Sequence, residues 1–347
     1  MTSSSAPVLT VRSPNDLLVA AAYQLGFVPT ESVLVICLHG RRGRVGLVMR
    51  FDLVPPAASR RFVDDVAARV VVQRPDRVVV AIFSAERVDG DGLPHAALVG
   101  DLLDSLDADV AGAFYVRQDR WWSYLCEDEC CRRPGGMVLD FRSESATALG
   151  AAFAYSGHAL LADREAVVQS VQCTLCGAQR ERARARIERA RGRHRDRPVE
   201  SLRGEMRELI GRLVAVRRRD PRAAITDRDA AEFGALAAIP VVRDEVLMLA
   251  AGPDERSVLL SVLTDLARRT PSPLDPPVCS LLAWIAYANG DGVIASVCVE
   301  RARASDPDYS LAVLIDDALL RQVPPRLFDQ VTRRAARALQ QEPGCGG

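Results

Sequence analysis

The chain has 347 residues, with 45 basic and 45 acidic side chains, 48% hydrophobic residues and only 5% aromatic ones; that length accommodates about two domains, each with a sizeable core. A formal charge of zero excludes a surface coated in positive field for nucleic acid or anionic lipid. Every basic residue is arginine, so there is no P-loop or protein-kinase lysine under a phosphate and no Schiff-base lysine for pyridoxal phosphate, because a guanidinium does not deprotonate at working pH.

Ser13-Pro14-Asn15-Asp16 predicts a helix start, with Ser13 as cap, Pro14 where a missing N–H costs nothing and Asp16 at the positive helix end. Leu17, Leu18, Ala21 and Leu25 give that helix its apolar side, and Gly26 ends it. The run Ser32 to Leu38 reads as a buried strand, Gly40 to Gly43 as a turn, and the alternation of Val45, Leu47, Met49 and Phe51 with polar neighbours as its hairpin partner. Phe62, Val66 and Val70 recur at helical spacing, Arg77 to Phe83 is a second apolar strand, and Pro94 to Leu106 a second amphipathic helix. Val110 to Val116 is a third buried strand, and Trp121 to Leu125 an aromatic one. Strands alternating with helices, and hairpins at both ends, predict a mixed α/β sheet covered by helices over residues 11–142.

From Ser143 the strand signals vanish. Ser145 to Tyr155 predicts an Ala-rich helix, and Asp163 caps another expected to continue to about Gly192. Residues 143–199 thus read as a helical connector, ending in the run Arg180 to Arg197 with nine arginines against Glu181, Glu188 and Asp196. Glu181–Arg184 and Glu188–Arg191 at i,i+3 mark that run as a solvated helix face rather than a nucleic-acid grip, since no aromatic residue interleaves it. Leu202, Met206, Leu209, Leu213 and Val216 form an amphipathic helix; Thr226 to Asp229 starts the next as a capping box with Asp in the place of Glu. Further helices are expected at 240–250, 254–269, 277–289, 292–304, 309–321 and 325–340, with no strand between Arg180 and Gln340. Residues 200–340 therefore form an all-α, helical-repeat-like domain, followed by a flexible tail at 341–347. With Pro307 as a closing proline, Leu282, Ala283, Gly290, Ala295 and Ala302 occupy the small and apolar positions of one tetratricopeptide-like helix pair. A plain antiparallel helical hairpin explains them equally.

Two residue sets are candidate sites. Trp122 and Tyr124 share one face of their strand, with Trp121 on the other, and Arg117, Asp119 and Arg120 adjoin them. Such a patch suits a planar ligand or a partner's hot spot, if it is not cross-strand packing. Cys126 and Cys130, with Cys131, precede the Cys173-x-x-Cys176 pair, and two thiolate pairs make the ligand set of a structural zinc ion. Unliganded thiols remain the simpler reading for an intracellular chain, and no other cofactor is expected. No HExxH, GxSxG or GxGxxG string supplies a catalytic set.

The start Met1 to Thr10 has no basic or apolar signal region, and the longest nearly apolar run, Val278 to Ala288, is short of a membrane span. With an odd nine cysteines, the expected location is the cytoplasm. Leu25-Gly26-Phe27, Trp121-Trp122-Ser123-Tyr124-Leu125-Cys126 and Asp306-Pro307-Asp308-Tyr309-Ser310-Leu311 resemble the actinobacterial domain-of-unknown-function family 4192, with Ala22 where a proline is common. The resemblance spans about Val11 to Gln340 and implies a bacterial cytoplasmic protein without an established activity. The expected function is a non-enzymatic binding or scaffold protein whose helical domain docks a protein partner, with neither membrane nor nucleic acid involved. The alternative is an enzyme of unrecognised type, with Ser32, Asp52, Asp119 and Arg120 around a small molecule at the strand ends.

Overall fold

A computed structural model describes residues 11–88, 92–126, 135–155, 160–250 and 253–341. The chain divides into two compact units, residues 1–164 and 165–347.

The first unit is built on a six-stranded sheet, ordered β2-β1-β3-β4-β5-β6. Its strands are β1 Ser32–His39, β2 Arg44–Asp52, β3 Arg77–Phe83, β4 Asp109–Arg117, β5 Arg120–Ser123 and β6 Met137–Val138. The pairs β1/β2, β1/β3, β4/β5 and β5/β6 are antiparallel, while β3 and β4 are parallel. A parallel pair needs a crossover, and helix α3 (Ala96–Ser105) supplies it. Alternate residues Val33, Val35, Val78, Val80, Ile82, Ala113, Tyr115 and Trp122 pack with Val63, Val66 and Val70 of α2 (Ser59–Gln73) and Leu98 and Leu102 of α3. Leu34, Ile36, Val79, Ala81, Val116 and Trp121, pointing the other way, are buried too. Burial on both faces is why these strands read as unbroken apolar runs. Helix α1 (Pro14–Leu25) begins as the sequence implies, Ser13 Oγ accepting the Asp16 N–H at 3.1 Å, and ends at Gly26 with φ 78°, a conformation that favours glycine. Beyond it, Phe27 bridges to Leu161. Helix α4 (Glu144–Tyr155) packs on α1 and belongs to this unit. Strand β6 has no sequence signature; it exists because β5 offers it an edge.

The second unit is all-helical among the described residues. It contains α5 Arg164–Val171, α6 Gly177–His194, α7 Val199–Arg219, α8 Asp227–Ala237, α9 Pro240–Met248, α10 Pro253–Arg269, α11 Pro276–Ala288, α12 Gly292–Ser305, α13 Ser310–Leu320 and α14 Pro325–Gln341. The expected connector, residues 143–199, is helical but shared between the units. The single helix expected from Asp163 to about Gly192 is interrupted at residues 172–176. There Thr174 turns its N–H (2.8 Å) and hydroxyl (3.2 Å) to the Arg268 carbonyl at the end of α10, and Gly177 takes φ 44°. A tertiary hydrogen bond has won over local helix propensity.

Helix α11 is buried on every side from Pro276 to Tyr287, and α12 packs along it through Ala295 and Ala302 as the small-residue pattern required. Arg301 of α12 is buried beside them. Its guanidinium donates to Asp275 Oδ2 (2.8 Å), to the carbonyls of Ala267 (3.1 Å) and Thr270 (2.8 Å), and to the Val171 carbonyl. The last turns of α5 and α10 thereby find donors for carbonyls that helix geometry leaves open. No helix among the described residues is long and apolar enough to cross a membrane.

Candidate functional site

The aromatic hairpin of the first unit is assembled as its sequence alternates. Tyr115 of β4 faces Trp122 at 5.8 Å and Tyr124 at 6.4 Å, while Trp121 lies on the opposite face, edge-on to Phe114 at 5.4 Å. Trp122 is only 5% exposed and belongs to the core, and a Cβ on Gly136 would come within 2.5 Å of its ring. The Tyr124 hydroxyl donates to the Pro94 carbonyl at 2.6 Å, and burial pushes its pKa well up. These rings stabilise the sheet through cross-strand packing. Arg117 Nε donates to the Ala85 carbonyl at 3.1 Å, Asp119 gives its carbonyl to the Leu139 N–H at 2.8 Å, and Arg120 reaches the Gly136 carbonyl at 3.5 Å. All three hold the β4–β5 turn in place.

The register brings Ser32, Asp52, Phe83 and Val116 to one end of the sheet. Arg50 ties the first two together, its Nε donating to Ser32 Oγ at 2.9 Å and its terminal nitrogen lying 2.6 Å from Asp52. Beside them Glu31 accepts from the Ala85 N–H (2.6 Å) and the Ser84 hydroxyl (3.2 Å). The Tyr115 hydroxyl donates to the Glu86 carbonyl at 2.5 Å, and the Glu86 carboxylate lies 3.2 Å from His95 Nε2. Burial, above all, raises the Tyr115 pKa. Glu31, His95 and Gln118 have positive φ here, which no sequence signal announces. This is the carboxyl end of the parallel pair β3/β4 and the start of α3, where open α/β sheets place ligands.

In the second unit a cavity of about 370 Å³ opens between α9, α13 and α14, floored by Trp284 of α11. Leu247 and Met248 of α9, Leu311 and Leu314 of α13 and Val331 of α14 line it. Leu314 and Val331 are 55% and 53% exposed. Leu327, one turn before Val331, and Val241, near the start of α9, are exposed as well. Trp284 Nε1 is satisfied by Thr332 Oγ1 at 3.1 Å. Arg243 forms the polar wall: Nε donates to Asp244 at 2.8 Å, NH1 to the Tyr309 hydroxyl at 2.8 Å, and the guanidinium lies 5.7 Å from the Tyr309 ring centre. The stretch Asp306 to Leu311 thus closes the α12–α13 turn and supplies one wall of this groove. Residues 14–326 match the model of a domain of unknown function, DUF4192. The chain belongs to the DUF4192 family. No characterised protein and no solved structure matches it.

The cysteines of this DUF4192 chain fall into both units. Cys126 is half-buried in the first; Cys130 and Cys131 lie outside the described residues. Cys173 and Cys176 sit at the break between α5 and α6, in the second unit, with Cys176 exposed as the N-cap of α6. They are therefore not on a common helix face, as a continuous helix would have made them. Burial pushes the thiols of Cys37 and Cys279 up to about 11 and about 12, so neither is a thiolate at neutral pH.

One group with metal-ligand chemistry escaped sequence reasoning, because its members are far apart in the chain. His194, Glu205 and Glu232 bring ligand atoms within 4.8 Å of one another. His194 is buried, and its Nε2 approaches Glu232 Oε1 at 2.7 Å without the alignment of a hydrogen bond. Arg193 lies 2.8 Å from Glu232, and Arg197 holds both oxygens of Glu205. The two guanidiniums balance the two carboxylates, so the trio already has its cations and ties α6, α7 and α8 together.

Proposed function

We propose that this DUF4192 protein is a cytoplasmic, non-enzymatic binding protein that docks an amphipathic helical segment of a partner protein into the groove between α9, α13 and α14. The observation that carries the reading is the groove itself. Its walls are helices with apolar side chains one turn apart, several half-exposed, over an apolar floor. A helix laid in such a groove buries anchors at i, i+3 or i+4, and the cavity has room for about two or three of them. Arg243 and Asp244 at the wall give the bound segment a polar end to pair with, which sets its direction. The test places a photo-crosslinking residue at Leu314 in the native host. Crosslinks should map to the apolar face of one helix in one partner and disappear with Val331→Glu. Crosslinks scattered over abundant proteins and indifferent to Val331→Glu would refute the proposal.

A second reading, an enzyme acting at the strand ends, is favoured by one specific observation. Three non-glycine residues with positive φ, Glu31, His95 and Gln118, gather around the end of β3 and β4 together with Glu86 and the Tyr115 hydroxyl. Strained backbone concentrates at functional sites. A metabolite panel read by thermal shift on wild type and His95→Asn decides it. A stabilising compound whose effect needs His95 supports the enzyme, and none doing so removes it.

A further inference from the structure

A second cavity, of about 280 Å³, lies elsewhere in the helical unit, between α6, α8 and the end of α10. Its floor is apolar, formed by Ile187 and Ala231, both buried. Its rim carries three arginines, Arg182 and Arg186 from α6 and Arg269 from α10, against a single carboxylate, Asp227. Asp227 lies between two of them, 2.7 Å from Arg186 and 3.1 Å from Arg269. Arg182 uses only Nε, on the Ala178 carbonyl of its own helix at 3.1 Å. Its terminal nitrogens have no protein partner among the described residues.

Three guanidiniums facing one carboxylate leave a local excess of two positive charges. The Asp227 carboxylate already fills the place that a monoanion would take. Phosphate monoesters are largely dianionic at neutral pH and offer three oxygens to planar guanidinium forks. The first turn of α8, capped by Thr226, adds its positive end to the same spot. The pairs holding Asp227 are solvent-exposed, so a dianion competes for the arginines at little cost. We infer that this pocket binds a small organic phosphate, its phosphoryl group held by Arg182, Arg186 and Arg269 and its apolar body resting on Ile187 and Ala231. The site shares no residue with the partner groove, so the two readings stand or fall separately.

The test uses the full-length protein and phenyl phosphate as probe, with inorganic phosphate and benzoate alongside, read by calorimetry at low salt. Phenyl phosphate should bind saturably, inorganic phosphate more weakly because it leaves the apolar floor uncovered, and benzoate more weakly because it carries one charge. Arg182→Gln touches only its own helix and should weaken phenyl phosphate about tenfold. Asp227→Asn removes the competing carboxylate and should tighten it several-fold. Failure of both wild type and Asp227→Asn to bind phenyl phosphate up to about 10 mM, where even a site of few contacts saturates, would overturn the proposal. So would undiminished binding in Arg182→Gln, or inorganic phosphate binding as well as the ester.

Discussion

The two units solve the same problem, a buried backbone, with different materials. In the sheet unit the central strands satisfy one another, and the one buried charge among its described residues is Asp16 in the first turn of α1, whose carboxylate accepts from the Ser145 hydroxyl at 2.6 Å and the Arg12 N–H at 3.1 Å. In the helical unit, helix ends point into the interior, and charged side chains go in with them. Arg243, Glu245, Asp275 and Arg301 are each no more than 9% exposed. Arg301 caps two helices at once, and Glu245 receives Arg203 at 2.5 Å and Arg207 at 3.1 Å. A sheet carries its hydrogen-bond partners in the neighbouring strand, whereas a helix terminus has to find them in a side chain. The bundle of short helices therefore buries more charged side chains than the sheet, whose own buried charge, Asp16, also sits at a helix end.

That contrast can be broken experimentally, and the largest effect belongs to Arg301. Arg301→Met leaves the Asp275 carboxylate and three carbonyls without their donor, and should cost the helical unit about 3–5 kcal/mol. Urea unfolding followed by Trp284 fluorescence in a variant lacking Trp121 and Trp122 reads that unit alone. A cost under about 1 kcal/mol would mean that water replaces the guanidinium and that the charge is not what organises the bundle.

In the sheet unit the corresponding injury is a cavity. Ile82→Ala empties a fully buried position near the end of the central strand β3 and should cost about 2–4 kcal/mol, read on Trp121 and Trp122. The helical transition should stay where it is. A common shift of both transitions would show that the units unfold as one.

The smallest effect is the most specific in pH. Arg212, donating at 2.9 Å, holds the Asp229 carboxyl below its ordinary pKa against the opposing pull of burial, and the Thr226 hydroxyl at 2.8 Å adds to it. A depressed folded-state pKa contributes stability above the unfolded value of about 3.9, and this is lost as pH falls through the folded one. Asp229→Asn should therefore cost about 1 kcal/mol at neutral pH and nothing at pH about 2. Far-ultraviolet circular dichroism through a pH series of urea titrations follows it; a pH-independent difference would assign the loss to packing.

Some of this was legible in advance. The Thr226 cap, the Ser13 cap and the Gly26 stop are local devices, each complete within a few residues of chain, although Asp229 turns its carboxylate to the Thr226 hydroxyl and leaves the expected capping box half-formed. The opposite facing of Trp121 and Trp122 follows from strand geometry alone. The i,i+3 pairs Glu181–Arg184 and Glu188–Arg191 form as spacing requires, at 2.8 and 3.0 Å. The candidate sites were less legible. Trp122 and Tyr124 look alike in sequence whether they face a ligand or a core, and only the packing of this sheet face places Trp122 in the core and Tyr124, half-buried, against it.

By itself the sequence determined the type and order of nearly every element and several helix caps, because those rest on periodicity and short-range chemistry; the DUF4192 membership rests instead on the motifs by which the chain resembles that family. Tertiary structure alone decided the break at residues 172–176, the existence of β6, and which few of the arginines are buried. It also decided that Arg243, Leu311 and Val331 wall one groove, and that Arg182 and Arg269 share a pocket. The physical reason is common to all of these. A hydrogen bond or charge partner remote in the chain leaves no periodic trace, and with arginine the chain's only basic residue, nothing in its spelling separates a buried guanidinium from a solvated one.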